Sequence, residues 1–363
     1  MSKRISRSVR WVNKIVGMFI WLFVGIISAA KVYAVETELG VFSDQKAIKS
    51  DNSTRWGFAF ENDFFVPGGR DRDYTYGLSL SYSDASIKNS FWHQPLNSID
   101  NFLGLPSGKN VRYGFEGGAY GFTPEDITAE QINTNDRPYA GLVYFATSTE
   151  RINVHDKSVL RTQLSLGILG LDVVGDIQDQ THRLINSDRP QGWDNQISDG
   201  GELTFRYVIS KQNKLDVSSP YLELRQTKTL SVGYLTEASW GMSFRLGKLN
   251  SRWSDFNPEL ASYAESSSST VRGFSERFAW GGIAIKMRGY NAFLQGQFRD
   301  SSLTIDNSDL RNAILEVWAG YTHSFTNGIY VSYGLRGHSS EVKTGVADRA
   351  VVWGGLMVGK RVF

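Results

Sequence analysis

The sequence predicts an all-β protein: a transmembrane, antiparallel, up-and-down β-barrel of about twelve strands, with a short helix in an extracellular loop. Three observations lead there. Apolar and polar residues alternate with a period of two along most of the chain. Aromatic residues reach 13% and glycines number 36, yet hydrophobic residues make up only 41%. The N-terminus carries an export signal, so the strands belong to a protein that leaves the cytoplasm.

That signal is read first along the chain. Lys3, Arg4, Arg7, Arg10 and Lys14 form a basic region, Ile15 to Ala30 is an apolar run, and Val32-Tyr33-Ala34 places small residues where a signal peptidase cuts. We read residues 1–34 as a secretory signal peptide and 35–363 as one barrel domain; the apolar run is shorter than a comfortable permanent span. The mature chain contains no cysteine, which excludes a disulfide framework, a thiol nucleophile and a Cys-ligated metal. A net charge of +2 argues against nucleic acid as the main partner. No mature segment approaches the roughly 20 apolar residues of a helical span.

The strands follow in order. Tyr74, Tyr76, Leu78, Leu80 and Tyr82 alternate with Thr75, Gly77, Ser79 and Ser81; Leu160, Leu164, Leu166 and Ile168 alternate with Arg161, Gln163, Ser165 and Gly167; Ile329, Val331, Tyr333 and Leu335 alternate with Tyr330, Ser332, Gly334 and Arg336. One greasy face and one small or polar face suit a strand between lipid and lumen. A soluble sandwich shows the same pattern, and here the signal peptide, the aromatic strand ends and the long loops select the barrel. Candidate strands fall at 54–64, 74–84, 110–123, 138–151, 158–169, 200–211, 220–233, 236–248, 276–288, 290–301, 312–325, 328–339 and 349–363, thirteen in all. Single-chain bacterial barrels use even counts, so one segment is surplus, and we expect it in the crowded stretch between 200 and 248. The last strand ends on Phe363, the terminal aromatic that barrel-assembly machinery reads.

With the N-terminus in the periplasm, odd strands run outward. The loops 64–74, 124–137 and 170–199 then emerge together at the outer rim. They are the most polar, motif-like loops of the chain.

The third of these loops holds the helix, near 176–187. Ile177, Thr181, Leu184 and Ile185 fall on one helical face, His182 sits at the edge of that face, and the segment is placed to hang over the rim and cap it. An imidazole titrates near neutral pH and suits general-base work; a satisfied surface histidine has the same signature. His93, His155, His323 and His338 lie at strand ends or turns without an acidic-polar cluster. In the first loop, Glu61-Asn62-Asp63-Phe64 closes one strand and Asp73-Tyr74-Thr75-Tyr76-Gly77 opens the next. Asp63 and Thr75 both belong to the small or polar alternation set. A carboxylate and a hydroxyl across a hairpin suit a hard cation such as Ca²⁺, although Asn-Asp with Pro67-Gly-Gly-Arg-Asp-Arg72 also simply makes a turn. In the second loop, Arg137 of Asp136-Arg137-Pro138-Tyr139-Ala140-Gly141 can pair with a rim carboxylate or an anionic head group. No Gly-x-Ser-x-Gly elbow and no His-x-x-x-His zinc spacing occurs, and the run Glu265-Ser-Ser-Ser-Ser-Thr270 reads as a flexible loop. The inventory still permits ester hydrolysis by a histidine-activated water beside a calcium ion.

Taken in order, Glu61-Asn62-Asp63, Asp73-Tyr-Thr75-Tyr-Gly77, Asp136-Arg-Pro-Tyr-Ala-Gly141 and Gln180-Thr-His182 with Pro190-Gln-Gly-Trp-Asp-Asn-Gln196 resemble the outer-membrane lipid A 3′-O-deacylase family. The resemblance covers essentially the whole mature chain. It implies a Ca²⁺-dependent hydrolase that removes the 3′-linked acyloxyacyl chain of lipid A in the outer leaflet of the Gram-negative outer membrane, working as a monomer in the manner of secreted calcium-dependent phospholipases. Carried over, His182 is the base, Asp63 and Thr75 help hold the calcium, Asn62 lies beside the metal ligand, and Asp188 stands where the family carries an acidic residue, usually glutamate. Arg70, Arg72, Arg137, Arg183 and Arg189 would lie in reach of lipid A phosphates. Two other readings stand beside it: a non-enzymatic porin or adhesion scaffold, and an outer-membrane phospholipase acting on glycerophospholipids.

Overall fold

The computed structural model describes residues 53–66, 73–108, 110–257 and 274–362. The signal peptide, Arg70, Arg72, the serine-rich run and Phe363 lie outside the described residues. Twelve strands close into a barrel in which every neighbouring pair is antiparallel and β1 meets β12. They are β1 (Thr54–Asn62), β2 (Asp73–Ser83), β3 (Val111–Thr123), β4 (Ala140–Asn153), β5 (Ser158–Leu169), β6 (Glu202–Leu215), β7 (Leu222–Gly233), β8 (Leu235–Lys248), β9 (Glu276–Asn291), β10 (Ala313–Ser324), β11 (Ile329–His338) and β12 (Val351–Val362).

Alternation sets the two faces. On β1, Arg55, Ala59 and Glu61 are buried inside while Trp56 and Phe58 are exposed outside. Buried charges inside are paired, as low-dielectric surroundings demand. Glu237 meets Arg206 at 3.2 Å and Arg288 at 2.8 Å. Glu223 meets Arg225 at 2.7 Å and Arg245 at 2.6 Å, and Asp255 of the β8–β9 connection meets Arg112 at 2.6 Å. Tyr74, Tyr120, Phe122, Tyr234, Phe293 and Trp353 pack together in one cluster inside, and Phe256 of the β8–β9 connection packs on Phe278 and Trp280. Between these layers remains a cavity of about 150 Å³. The lumen is a filled core.

The surplus strand is not where the sequence suggests. The three segments between 200 and 248 are all real, and they look crowded because β7 and β8 are joined through Tyr234 alone. Gly233 makes that turn with φ 132, and a Cβ there would sit 2.0 Å from the Phe205 carbonyl. The segment that fails is 290–301: β9 runs on to Asn291, whose side chain accepts the Phe293 N–H at 3.0 Å and starts a single helical turn, Ala292–Gln295. A local cap overrides the alternation there.

Loops after odd strands share one end, the end that strand parity with a periplasmic N-terminus makes extracellular. Two helices lie on the outside of the wall. Helix α1 (Gln94–Phe102) belongs to the opposite, periplasmic end, and α2 (Asp172–Ile185) to the extracellular end. Helix α2 therefore does not cap the rim; it lies against the outer surface of β2, β3 and β4.

Candidate active site

The wall under α2 is made by a bulge. The register of β2 on β3 shifts between Tyr74 and Tyr76, and the extra residue splits the alternation. Tyr74, expected on the lipid side, turns into the lumen onto Trp353, with ring centroids 5.1 Å apart. Thr75 and Tyr76 both end on the outer face. The Thr75 hydroxyl lies 2.6 Å from the Thr123 hydroxyl, and the Tyr76 hydroxyl donates to the Val174 carbonyl of α2 at 2.8 Å. Asn62, at the end of β1, completes this corner. Its side-chain oxygen accepts the Phe64 N–H at 2.5 Å, and its Nδ2 donates to the Thr75 carbonyl. Asp63 opens the 3₁₀ turn Asp63–Phe65 and is buried, 1% exposed. Glu61 points the other way, into the lumen against Gly355.

Helix α2 meets this wall through Val174, Gln178 and His182, spaced four apart on one face. The expected face holds at Ile177, which packs on Tyr76, Tyr139, Val174 and Trp193, and fails at Leu184, which is 85% exposed, while His182 is buried at 4% exposure. Close approach needs small residues below. A Cβ on Gly141 or Gly121 would sit 2.7 or 3.0 Å from Val174. A clamp closes over the helix from the loop that follows. Trp193 donates its indole N–H to Gln178 at 2.7 Å and stacks on Tyr139 at 5.1 Å, while Gly175 leaves room for its ring. The Tyr139 and Trp193 motifs are the clamp; in the sequence they stood only among the motifs that carry the family resemblance.

His182 is oriented by main chain. Asn186 takes a left-handed conformation, φ 53, and ends the helix. The chain then turns back so that the Asp188 carbonyl meets His182 Nδ1. A carbonyl can only accept, so Nδ1 carries the proton and the neutral ring keeps Nε2 as its basic nitrogen. Asp188 contributes this contact through its backbone.

The rim arginines divide. Arg349, which no sequence signal marks, bridges Asp73 at 2.7 Å and Asp136 at 2.7 Å. Arg137 is buried over the Phe122 ring, 4.4 Å from its centroid, and burial lowers its pKa. Arg183 and Arg189 remain exposed and share Asp179, at 2.9 and 2.6 Å.

Among the described residues no group of three His, Asp or Glu side chains could hold a metal. The side-chain donors of this corner are oxygens: the Thr75 and Thr123 hydroxyls, 2.6 Å apart, and the carboxylate of Asp63 in the adjoining 3₁₀ turn. That set fits a hard cation completed by carbonyls and water, such as Ca²⁺, and does not fit zinc.

The family model for outer membrane protein LpxR matches residues 18–362. The structure of LpxR from Salmonella typhimurium superposes with a TM-score of 0.65 at 16% identity, covering 84% of this chain and 99% of that one. The β domain of the Bordetella autotransporter BrkA gives a TM-score of 0.39 at 11% identity over 86% of this chain and 99% of that one. The translocator domain of NalP from Neisseria meningitidis gives 0.35 at 10% over 96% and 98%. No curated protein sequence matches. With its family match and its closed barrel of twelve strands, the chain belongs to the LpxR family of outer-membrane proteins.

Proposed function

We propose that this protein hydrolyses the 3′-linked acyloxyacyl ester of lipid A in the outer leaflet, with His182 as general base. The observation that carries the reading is the placement of His182. It is held on the lipid side of the wall at the extracellular end, with Nδ1 bound to a carbonyl and Nε2 as the acceptor. A base so placed is buried on the lipid side of the barrel at its extracellular end, and acts on a substrate that reaches it from the outer leaflet.

In this mechanism His182 Nε2 takes a proton from a water as its oxygen attacks the ester carbonyl. The carbon–oxygen bond to the sugar then breaks, and the imidazolium returns its proton to the leaving 3′ oxygen. The products are a lipid A with a free 3′ hydroxyl and the acyloxyacyl carboxylic acid. The Asp188 carbonyl stabilises the imidazolium and fixes its ring. Calcium, when bound by Asp63 and Thr75, supplies the positive charge that polarises the ester carbonyl. Asn62 holds the Thr75 strand against the Asp63 turn and so positions that pair. The site is built within one chain, and we take the monomer as the working unit.

Mass spectrometry of lipid A and phospholipids from cells expressing the chain tests this. Loss of the 3′ chain from lipid A, with phospholipids intact, is the expected result. Lysophospholipid with unchanged lipid A would mean a phospholipase, and no change in either would sink the hydrolase reading.

A further inference from the structure

The β2–β3 connection forms a second helical body on the outer wall, at the periplasmic end. His93 is fully buried between Thr147 and Thr149, its ring nitrogens 2.5 and 3.3 Å from their hydroxyls. Asp100 of α1 accepts from Arg151 at 2.5 Å, Thr162 at 2.7 Å and the Tyr207 hydroxyl at 3.0 Å. These partners stand at outward-facing positions of β4, β5 and β6, alternating with lumenal Glu150, Arg161 and Arg206. Such polar groups are costly against hydrocarbon, and α1 covers them. On β4 the coverage is continuous: α2 lies over Gly141, Trp92 lies on Phe145 at 5.9 Å, and His93 lies on the two threonines. In this sector the protein meets the membrane through its helices.

The outward surface of this body is apolar at its two ends, just before α1 and at its close, with Gln94, Ser98 and Asn101 exposed between them. Phe91, Trp92, Phe102 and Leu103 are 74%, 60%, 89% and 49% exposed. Trp92 joins this patch to the lipid-facing belt through Phe145, which packs on Phe115 at 5.1 Å. Lys88 is exposed just before it.

We propose that α1 and the turn before it form an interfacial helix seated in the periplasmic leaflet of the outer membrane, with Phe91, Trp92, Phe102 and Leu103 among phospholipid acyl chains and Lys88 at the phosphate level. The covered polar stripe and the continuity of the patch with the barrel belt select lipid as the occupant. This placement is independent of the catalytic reading.

The chain has no native cysteine, so single-cysteine variants can be spin-labelled directly. Trp92→Cys and Phe102→Cys are made in the full mature chain and reconstituted in phosphatidylethanolamine–phosphatidylglycerol vesicles. Leu166→Cys on the barrel belt serves as the lipid reference, and Asp216→Cys in the β6–β7 turn serves as the water reference. Retained heat-modifiable migration on gels verifies folding of each. Both α1 labels should collide with oxygen as Leu166→Cys does and be shielded from a water-soluble nickel chelate. Nickel accessibility equal to that of Asp216→Cys overturns the proposal. So does shielding from both reagents with label-to-label broadening, which would mean a second copy covers the patch.

Discussion

At the scale of single residues, the candidate site depends on how one imidazole is held. The bond from Nδ1 to the Asp188 carbonyl makes the identity of the Asp188 side chain secondary. Asp188→Ala is expected to keep deacylation within a few-fold, whereas His182→Ala should lower it by about 10²–10⁴-fold, the usual worth of a general base. Rates of 3′-chain release from purified variants check both, and equal losses would show that the carboxylate acts after all. This detail was illegible in the sequence, where Asp188 read as a shortened glutamate. A backbone carbonyl leaves no signature in residue type. His182, Asn62, Asp63 and Thr75 could be nominated from the sequence because side-chain chemistry marks them. Thr123 and Arg349 were not, because their roles come from pairing across strands that only the closed barrel brings together.

At the scale of elements, the two external helices depend on small residues and on capping. Val174 sits directly on Gly121 and Gly141, so Gly141→Leu should push α2 off the wall. Deacylation should fall sharply while the barrel remains folded, a split readable by activity beside gel migration. Trp193→Ala removes the ring over Gly175 and the donor to Gln178, and should cost α2 docking about 3–5 kcal/mol. Faster amide exchange over 172–185, with the strands unchanged, is the expected signature. The face of α2 was misread from the sequence for a physical reason. Apolar periodicity normally marks the buried side of a helix, but a helix on a membrane barrel can show apolar residues to lipid and polar ones to the wall. Leu184 outside and Gln178 inside follow that inverted rule, while Val174 and Ile177 pack on the wall in the ordinary way.

Helix α1 obeys the same inversion and carries a pH response. Burial lowers the pKa of His93, Asp100 pulls it upward and Arg151 pushes it down. The unfolded imidazole titrates near 6.5. As pH falls below that value, the unfolded segment binds a proton that the docked ring resists, so acid weakens α1 docking. Amide protection factors over 91–103, taken against the intrinsic exchange rate at each pH, should fall between about pH 7 and pH 5, and His93→Gln should flatten that dependence. Tyr113 packs edge-on against the ring, with centroids 5.1 Å apart.

At the scale of the whole molecule, the barrel works as a wall and not as a pore. Ion pairs, aromatic side chains and, among the described residues, Trp253 to Phe256 of the β8–β9 connection pack the lumen around a cavity of about 150 Å³. Planar bilayers containing the protein should show no ohmic steps, and steady conductance would contradict the filled lumen. Fold class, strand order and the shared extracellular end were all legible from period-two alternation and strand parity. The surplus strand at 290–301 was not, because the Asn291 cap competes locally with an alternation that continues past it. Whether the helix lay over the lumen or beside it was also hidden, since a loop's sequence does not say which side of the wall it falls on. That choice bears on the proposed function: beside the wall, His182 is buried on the lipid side of the barrel and not over the lumen.

The most direct test follows release of the 3′ acyloxyacyl chain from lipid A by purified protein in calcium-containing detergent and ¹⁸O-labelled water. The native chain should release it with one label in the carboxylic acid and none in the sugar hydroxyl, and His182→Ala, still folded, should be slower by about 10²–10⁴-fold. Release at the native rate by His182→Ala, or label in the sugar hydroxyl, would contradict a histidine-activated water attacking the ester carbonyl.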